Sequence, residues 1–519
     1  VNANTVSYWN LTGRKTAYPP LRENLSTEVL IIGAGITGVT CAYCLAEKGL
    51  KPVLIEAGGI SDGTTGNTTG KVTLQHGVIY YKLAEKYGYE AAKAYAASQR
   101  SALEFVAGAV KKHAIDCQLA KNTAYIFAEN DSEWDTLEKE YEAAKKIGIN
   151  AELVKAADFP PGNRGLLGYK DQYVFHAVRY VNALAAEAVK MGAAIYCSTK
   201  AVRLDDGDIK TISCTTVLSE NDINIRAKHV VMATQYPFYD GPNLFFARLY
   251  AKRDYGVAVD ALRDWPDGSY VNIGDQTRSV RTHVENGERI LIVVGETHDT
   301  GRGENDMSRH HQSLLQYADK IAGVREVLAM WSAQDYDTPD ELPYIGRISD
   351  GGSIYAATGF RKWGLSNGTL AGMIITELIV TGSCRWEGLY SRTRGDITNS
   401  FIKAVVGAVN PVIELIKSKL EKTDDLIGLQ PGEGRVIRWG GERAGIYRDL
   451  NDDVTILDIT CTHMGTELNF NSAEKTWDCP AHGGRYNTSG KLLEGPPKDS
   501  LKVLFRGKYD DLTEKENSL

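Results

Sequence analysis

Residues 28–56 constrain this chain most. They read Glu28-Val-Leu-Ile-Ile-Gly33-Ala-Gly35-Ile36-Thr-Gly38, then Val-Thr-Cys-Ala-Tyr-Cys-Leu-Ala-Glu-Lys-Gly49, then Pro52-Val-Leu-Ile-Glu56. A short apolar run enters Gly-x-Gly-x-x-Gly, and the glycines enter a helical apolar pattern that stops at Gly49. A second apolar run follows and ends on an acid. Each part has a physical task in a βαβ nucleotide fold. Gly33, Gly35 and Gly38 permit the turn and the close approach of a pyrophosphate. The helix beginning at Ile36 offers free N–H groups to phosphate, and Glu56 is placed for a ribose hydroxyl. A chance glycine loop does not explain a strand before, a helix after and an acid 18 residues beyond Gly38.

Residues 58–77 follow the second strand: Gly58-Gly-Ile-Ser-Asp-Gly-Thr-Thr65-Gly-Asn67-Thr68-Thr69-Gly70-Lys-Val-Thr-Leu-Gln-His76-Gly77. Small and hydroxyl side chains here can hydrogen-bond a pyrophosphate and a ribityl chain. This segment resembles that of the D-amino-acid-oxidase-like flavoproteins, also called the glycine-oxidase or sarcosine-oxidase type. The resemblance implies FAD rather than NAD, with contacts from Thr65, Asn67, Thr68 and Thr69. His76 is the one titratable ring in the loop. It is read either as a flavin neighbour (attachment point, proton carrier or substrate contact) or as a ring that only bonds loop backbone.

Two later stretches extend the resemblance. Helix 178–191, Gly192 and a short strand to Val202 look like the flavin fold returning to its sheet, with Val202 on the adenine side. The strand 228–235 ends in Ala-Thr234-Gln235, where the family carries Ala-Thr-Gly; Gln235 therefore puts close backbone approach there in question. Residues 331–381 hold a proline-marked turn, a strand into Thr-Gly359-Phe, then Lys362, Trp363, Gly364, Leu365 and Ser366 at the start of a helix ending at Gly382. A helix N-terminus there favours the negative charge of a reduced flavin ring. Lys362 either adds to that charge stabilisation or is solvated. Residues 248–300 alternate apolar and polar positions, as strands of a substrate-side antiparallel sheet do. Arg278, Arg281, Tyr250 and His283 are its candidates for meeting a substrate carboxylate, with Arg281 favoured. The catalytic candidates are thus His76, Arg281 and Lys362.

Near the C-terminus stand Cys461-Thr-His463 and Cys479-Pro-Ala-His482, thirteen residues apart beyond Gly465. Two thiolates and two imidazoles suit zinc, or a [2Fe–2S] cluster with two cysteines on one iron and two histidines on the other. A zinc finger gives both cysteines before both histidines, whereas here each cysteine is followed by its own histidine. That order resembles the Rieske proteins, and the resemblance runs from Cys461 to Pro497. Strand patterns at 434–439, 443–447 and 454–459 fit the small β domain it implies. Respiratory Rieske proteins carry a disulfide at the positions of Thr466 and Ala481 and a serine at that of Gly484. Their absence implies a reducing compartment and a lower potential.

The expected architecture is α/β plus all-β. A Rossmann-like FAD domain comes from 28–87, 150–247 and 331–385, and an antiparallel-sheet substrate domain from 88–149 and 248–330. A helical linker spans 386–428, with a kinked apolar stripe over 396–420, and a Rieske domain spans 429–510. Within the first two domains, helices are expected over 80–112 and from a capping-box-like start at Ser132. A net charge of −7 gives no reason to expect nucleic acid. No continuous apolar run reaches the length of a membrane span. Eight cysteines are scattered; Cys41 and Cys44 lie in an apolar helical pattern and read as core thiols. A cytoplasmic protein fits, with membrane association through an acceptor as the alternative.

The whole chain resembles FAD-dependent amine or amino-acid oxidoreductases with a C-terminal Rieske domain. That implies a dehydrogenase acting on a C–N, less readily a C–O, bond and passing electrons through the cluster to a carrier protein or quinone. An oxygen-reducing oxidase with a structural cluster and a non-catalytic redox sensor or electron-transfer subunit are the alternatives. A Rieske oxygenase would need two histidines and a carboxylate on one further iron. The adjacent pair His310-His311 does not supply them.

Overall fold

The computed structural model describes residues 6–155, 157–216, 219–240, 245–274, 276–302, 306–394 and 428–516. It divides into two compact units. One comprises Val1–Asn243, Asp254–Thr297 and His311–Gly395; the other comprises Leu244–Arg253, His298–His310 and Asp396–Leu519. The expected linker helix at 396–420 lies outside the described residues.

The first unit is built on the strand Leu25–Ile32. It pairs in parallel with Val53–Ile55 on one side and with Ser219–Met232 on the other. Ala194–Tyr196 and Ile354–Thr358 extend the parallel sheet at its two sides, and Tyr344–Arg347 closes one edge antiparallel. A sheet covered on both faces needs apolar strands, and Val29–Ile32 and Val230–Met232 are all buried. Helices Ile36–Glu47, Ala177–Lys190 and Gly364–Thr381 supply cover. The last is long and apolar enough to cross a membrane, yet 67% of it is buried inside the protein, as befits a core helix. Cys41 and Cys44 are buried in this core, where desolvation pushes the Cys41 thiol up to about 12.

A second sheet runs, in spatial order, through Val324–Asp337, Tyr250–Ala261, Glu288–Asp299, Ser279–Glu285, Ser269–Asn272, Ala120–Ala128, Gly165–Val174 and Lys71–Val72. The expected antiparallel pairing holds from Ser269 to Asp299, while Ser269–Asn272 lies parallel to Ala120–Ala128. Lys71 on the terminal strand donates to Ser279 Oγ, four strands away, at 2.7 Å. A flat sheet would part those strands by about 19 Å. The sheet is therefore strongly curled, and its concave side brings distant residues together. Two helix expectations change. The pattern from Tyr80 forms two helices, Tyr80–Tyr87 and Tyr89–His113, parted at Gly88 with φ +85°. The helix expected from Ser132 starts at Asp131, because Asn130 is its cap and accepts from the Glu133 N–H at 3.0 Å.

The second unit contains two four-stranded antiparallel sheets. One holds Gly434–Trp439, Glu442–Arg448, Asp453–Leu457 and Val503–Lys508; the other holds Asn469–Asn471, Thr476–Asp478, Arg485–Asn487 and Leu492–Glu494. Each has its own apolar core, one around Ile446 and Ile456, the other around Trp477, Tyr486 and Leu468. Buried Arg485 ties Asp478, Glu474 and Glu494 together, and buried Arg253 joins Glu474 at 2.6 Å. Removing either guanidinium would strand buried carboxylates, a costly defect.

Candidate functional site

The glycine loop does what its spacing requires. Gly33 has φ +106°, and a side chain there would strike the Ala233 carbonyl; one at Gly38 would strike the Gly33 carbonyl. Glu56 accepts from the N–H groups of Ala34 (2.7 Å) and Gly58 (2.8 Å), and burial raises its carboxyl above the ordinary range. Gly35 caps the helix Ile36–Glu47 without any side chain, so Thr65 Oγ1 accepts from the Ile36 N–H at 3.1 Å. The helix Gly364–Thr381 begins after Trp363, again with no side-chain cap. Neither helix end is capped by the side chain of its own N-cap residue, one lying on a glycine cradle and one following Trp363. Buried Nε2 atoms of Gln75 and His76 also have no protein partner. This set fits FAD: phosphate at the first helix end and an anionic ring edge at the second.

The remaining expected cofactor residues are placed as follows. Asn67 and Thr68 lie on or directly after a single 3₁₀ turn, Thr64–Asn67, with Thr69 next. Val202 sits at a bulge in the strand Thr199–Asp205. Thr234 donates from Oγ1 to the Tyr236 carbonyl at 2.7 Å. Gln235 adopts φ +63°, the left-handed conformation glycine takes freely, and its amide donates to the Gln334 carbonyl. The turn shape therefore survives the missing glycine. Gly359 has φ +75°. Leu365 is buried, and Ser366 Oγ donates to the Thr73 carbonyl (3.0 Å) and accepts from its N–H (2.9 Å).

His76 is 2% exposed. Its ring stacks on Trp363 at 4.9 Å, and its Nδ1 lies 2.6 Å from the Tyr95 hydroxyl. Burial holds the imidazole down at about 3, so it is neutral at physiological pH. Lys362 is exposed, and its ammonium pairs with Asp254 at 3.0 Å and donates to Thr297 Oγ1 at 2.6 Å. Arg281 is buried at 1% exposure and donates to the Gly70 carbonyl at 2.7 Å. Its other nitrogen is 3.2 Å from His283 Nδ1, and its guanidinium sits 5.1 Å from the Trp9 ring. It braces the loop that ends at Gly70. Arg278 is paired with Glu296 at 2.8 Å, and Tyr250 is largely exposed.

Lys71 is the residue that sequence reasoning passed over. Besides Ser279, it faces the Trp363 ring at 5.3 Å and has Arg281 and Lys362 as charged neighbours. Burial first, then those two cations, pushes its ammonium down to about 7. Its only sequence signal is that it is the one lysine or arginine in the loop 58–77. Ahead of the first strand, Tyr8–Thr12 is a helix whose Trp9 is completely buried.

The four C-terminal donors lie on two loops of one design. Cys461 donates its N–H to the Thr466 carbonyl (2.8 Å) and accepts from the Gly465 N–H (2.9 Å). Cys479 likewise donates to the Gly484 carbonyl (2.8 Å) and accepts from the Gly483 N–H (3.0 Å). The thiols face each other, and the rings of His463 and His482 lie 5.0 Å apart at 86°. A zinc ion needs four donors on one centre, whereas a two-iron cluster needs them two and two. His463 Nδ1 is buried with no hydrogen-bond partner. The donor set fits a [2Fe–2S] cluster.

Its surroundings are specific. The Tyr486 hydroxyl lies 3.7 Å from Cys461 Sγ and 3.0 Å from Thr462 Oγ1. A Cβ on Gly484 would lie 2.5 Å from Pro497 Cγ, so no serine fits there. Thr466 is buried, and all eight cysteines are free thiols. Phe246 meets both histidine rings edge-on, at 6.2 Å and 6.0 Å. His310 and His311 are spent separately: His310 stacks on His298 at 5.0 Å, and His311 Nε2 lies 3.0 Å from the Trp331 carbonyl.

Comparison with known proteins agrees with this geometry. Residues 28–378 match the model of the DAO family, FAD dependent oxidoreductase, and residues 420–504 match the Rieske [2Fe-2S] domain. YhfW of Bacillus subtilis (strain 168), a protein named for a Rieske 2Fe-2S iron-sulfur centre, is 35% identical over 96% of this chain and 97% of its own. Gamma-glutamylputrescine oxidoreductase of Escherichia coli (strain K12) is 24% identical over 72% of this chain and 89% of its own. The glycine oxidase structure from Geobacillus kaustophilus superposes with a TM-score of 0.58 at 20% identity, covering 71% of this chain and 99% of that one, and shows the shared fold. This chain belongs to the DAO family of FAD-dependent oxidoreductases, carries a C-terminal Rieske domain, and binds FAD and a [2Fe–2S] cluster.

Proposed function

We propose that the protein is a dehydrogenase that oxidises the C–N bond of an amine or amino-acid-like substrate. It passes the electrons through its Rieske cluster to an external acceptor, a carrier protein or a quinone. The observation that carries this is the presence of both sites in one chain: an FAD cradle, and a two-plus-two donor set fit for a one-electron centre. FAD takes two electrons as a hydride, and a [2Fe–2S] cluster takes one at a time. The relatives named for glycine and gamma-glutamylputrescine support the C–N class of substrate.

The chain's own residues account for binding and proton handling. An amine arrives at neutral pH as an ammonium and must lose a proton before its C–H bond can deliver a hydride. Lys71, whose amine is half neutral near pH 7, is the group assigned to take that proton. Neutral His76 and Trp363 form the wall beside it, and Arg281 fixes the loop through Gly70. The free thiols, with no disulfide among the described residues, fit a reducing cytoplasm.

Anaerobic stopped-flow tests the reading. A panel of amines and amino acids is mixed with oxidised enzyme while the flavin and cluster bands are followed. The expected result is flavin bleaching by at least one compound, followed by cluster reduction. Bleaching with a cluster that stays oxidised would favour the oxidase with a structural cluster. A panel that leaves the flavin untouched would favour a redox sensor or electron-transfer subunit.

A further inference from the structure

Ahead of residues 28–378, which match the flavin family, lies the short helix Tyr8–Thr12. We propose that Ser7, Trp9 and Asn10 form a clamp that positions the loop 64–70 for FAD. The loop contains a lone 3₁₀ turn, Thr64–Asn67, and such a turn is too short to hold its own orientation. Its last carbonyls have no partner within the turn and must find donors elsewhere. The N-terminal segment provides most of them. Ser7 Oγ donates to the Gly66 carbonyl. Trp9 Nε1 donates to the Thr68 carbonyl at 2.6 Å. Asn10 Nδ2 reaches the Gly66 carbonyl at 3.4 Å and Asn67 Oδ1 at 3.5 Å. Trp331 Nε1, from the large sheet, completes the set at the Asn67 carbonyl, 3.2 Å away.

The donors are themselves fixed. Ser7 and Trp9 are fully buried. The Trp9 ring is walled by His283 at 4.8 Å and His176 at 5.1 Å, both edge-on, and by the Arg281 guanidinium. The clamp fits closely, because a Cβ on Gly66 would lie 2.7 Å from Asn10 Oδ1. With the C-terminal carbonyls held, the other end of the turn is aimed at the glycine loop, where Thr65 Oγ1 accepts from the Ile36 N–H. The segment thus sets where Thr65, Asn67 and Thr68 stand relative to the helix end that receives the phosphates. These are positioning residues, and their assignment rests on the FAD site alone, not on the dehydrogenase reading.

Trp9→Phe is the deciding variant, since it keeps the ring and deletes one N–H donor. Full-length protein with its cluster intact is stripped of flavin, and FAD is titrated back by flavin fluorescence. One lost hydrogen bond to a carbonyl predicts about fivefold weaker FAD binding. Trp9→Phe combined with Ser7→Ala predicts roughly 25-fold by the same reasoning. The cluster's EPR signal should stay at its wild-type value, and the flavin-free melting temperature should fall by no more than a few degrees. Wild-type FAD affinity in Trp9→Phe overturns the clamp, and so does a fall in melting temperature with affinity unchanged. Ser7→Ala alone, a change of one oxygen, gives the same two-way answer should the double variant fail to fold.

Discussion

The Tyr486 hydroxyl has one proton and two acceptors, and that fact predicts a redox effect of known sign. Cys461 Sγ lies 3.7 Å away and Thr462 Oγ1 lies 3.0 Å away. Thr462 has spent its own proton on the Asp499 carbonyl at 2.9 Å, and its N–H donates to the tyrosine oxygen at 3.3 Å. The tyrosine proton is therefore divided between sulfur and the threonine oxygen. A donor to the ligand sulfur stabilises the reduced cluster, in which that sulfur carries more charge, and so raises the potential. A full hydrogen bond contributes about 1 kcal/mol net, and ~1.4 kcal/mol corresponds to 59 mV in a one-electron couple. The shared, long bond to Cys461 is thus worth roughly 20 mV of the ~40 mV a full one would give. Tyr486→Phe should lower the potential by that ~20 mV. Thr462→Val removes the competing acceptor, keeps the N–H, and should raise it by a similar amount. An EPR-monitored redox titration of the full chain measures both. Shifts of the same sign, or no fall in Tyr486→Phe, would refute the assignment of the tyrosine proton.

Three further outcomes are expected. Gly484→Ser should not restore a hydroxyl to the cluster, because its Cβ would meet Pro497 Cγ at 2.5 Å and Cδ at 2.6 Å; a lowered iron-to-protein ratio and melting temperature check this. Lys71→Met should stabilise the protein near pH 6. The folded pKa of about 7 lies below the ordinary 10.5, so the unfolded chain binds more protons between those values and stability from this group rises with pH across that window. The variant's gain of a few degrees in melting temperature at pH 6 should shrink toward pH 10, while proton uptake from substrate is lost. Phe246→Ala should uncover the two histidine rings it meets at about 6 Å, and stopped-flow oxidation of the reduced cluster by ferricyanide should quicken severalfold. Unchanged oxidation would mean that Phe246 does not limit access.

What the sequence disclosed and what it hid follow from how far apart the partners lie. The glycine loop was legible because turn, helix end and Glu56 act within one βαβ unit. The two Cys-His loops were legible for the same reason, since each closes on itself within six residues, Cys461 to Thr466 and Cys479 to Gly484. Lys71 was not, because its partner Ser279 is 208 residues away and meets it only when the sheet curls. Trp9 reaches Thr68 across 59 residues, from a five-residue helix too short to show a period. Arg281 was expected from its charge to meet a substrate carboxylate, and charge alone did not show that it is buried and donates to the Gly70 carbonyl. The Gln235 departure looked damaging on paper, yet the backbone holds the left-handed turn with a side chain in place.

The surroundings of the cluster also bear on where its potential lies. Three features act in one direction. No hydroxyl is available at residue 484, because Pro497 occupies the space a side chain would need. The Tyr486 proton is shared rather than committed to Cys461. The buried network flanking the second ligand loop joins two guanidiniums, Arg253 and Arg485, to three carboxylates, Glu474, Asp478 and Glu494, and so carries one net negative charge. Fewer donors to sulfur and a nearby negative charge each disfavour an added electron. The potential should therefore fall below that of respiratory Rieske proteins. Glu474→Gln would remove the excess charge and keep one of the two acceptor oxygens, so it should raise the potential. A wild-type potential as high as the respiratory proteins', or a Glu474→Gln variant with a lower one, would show that solvent or backbone donors outweigh these three features.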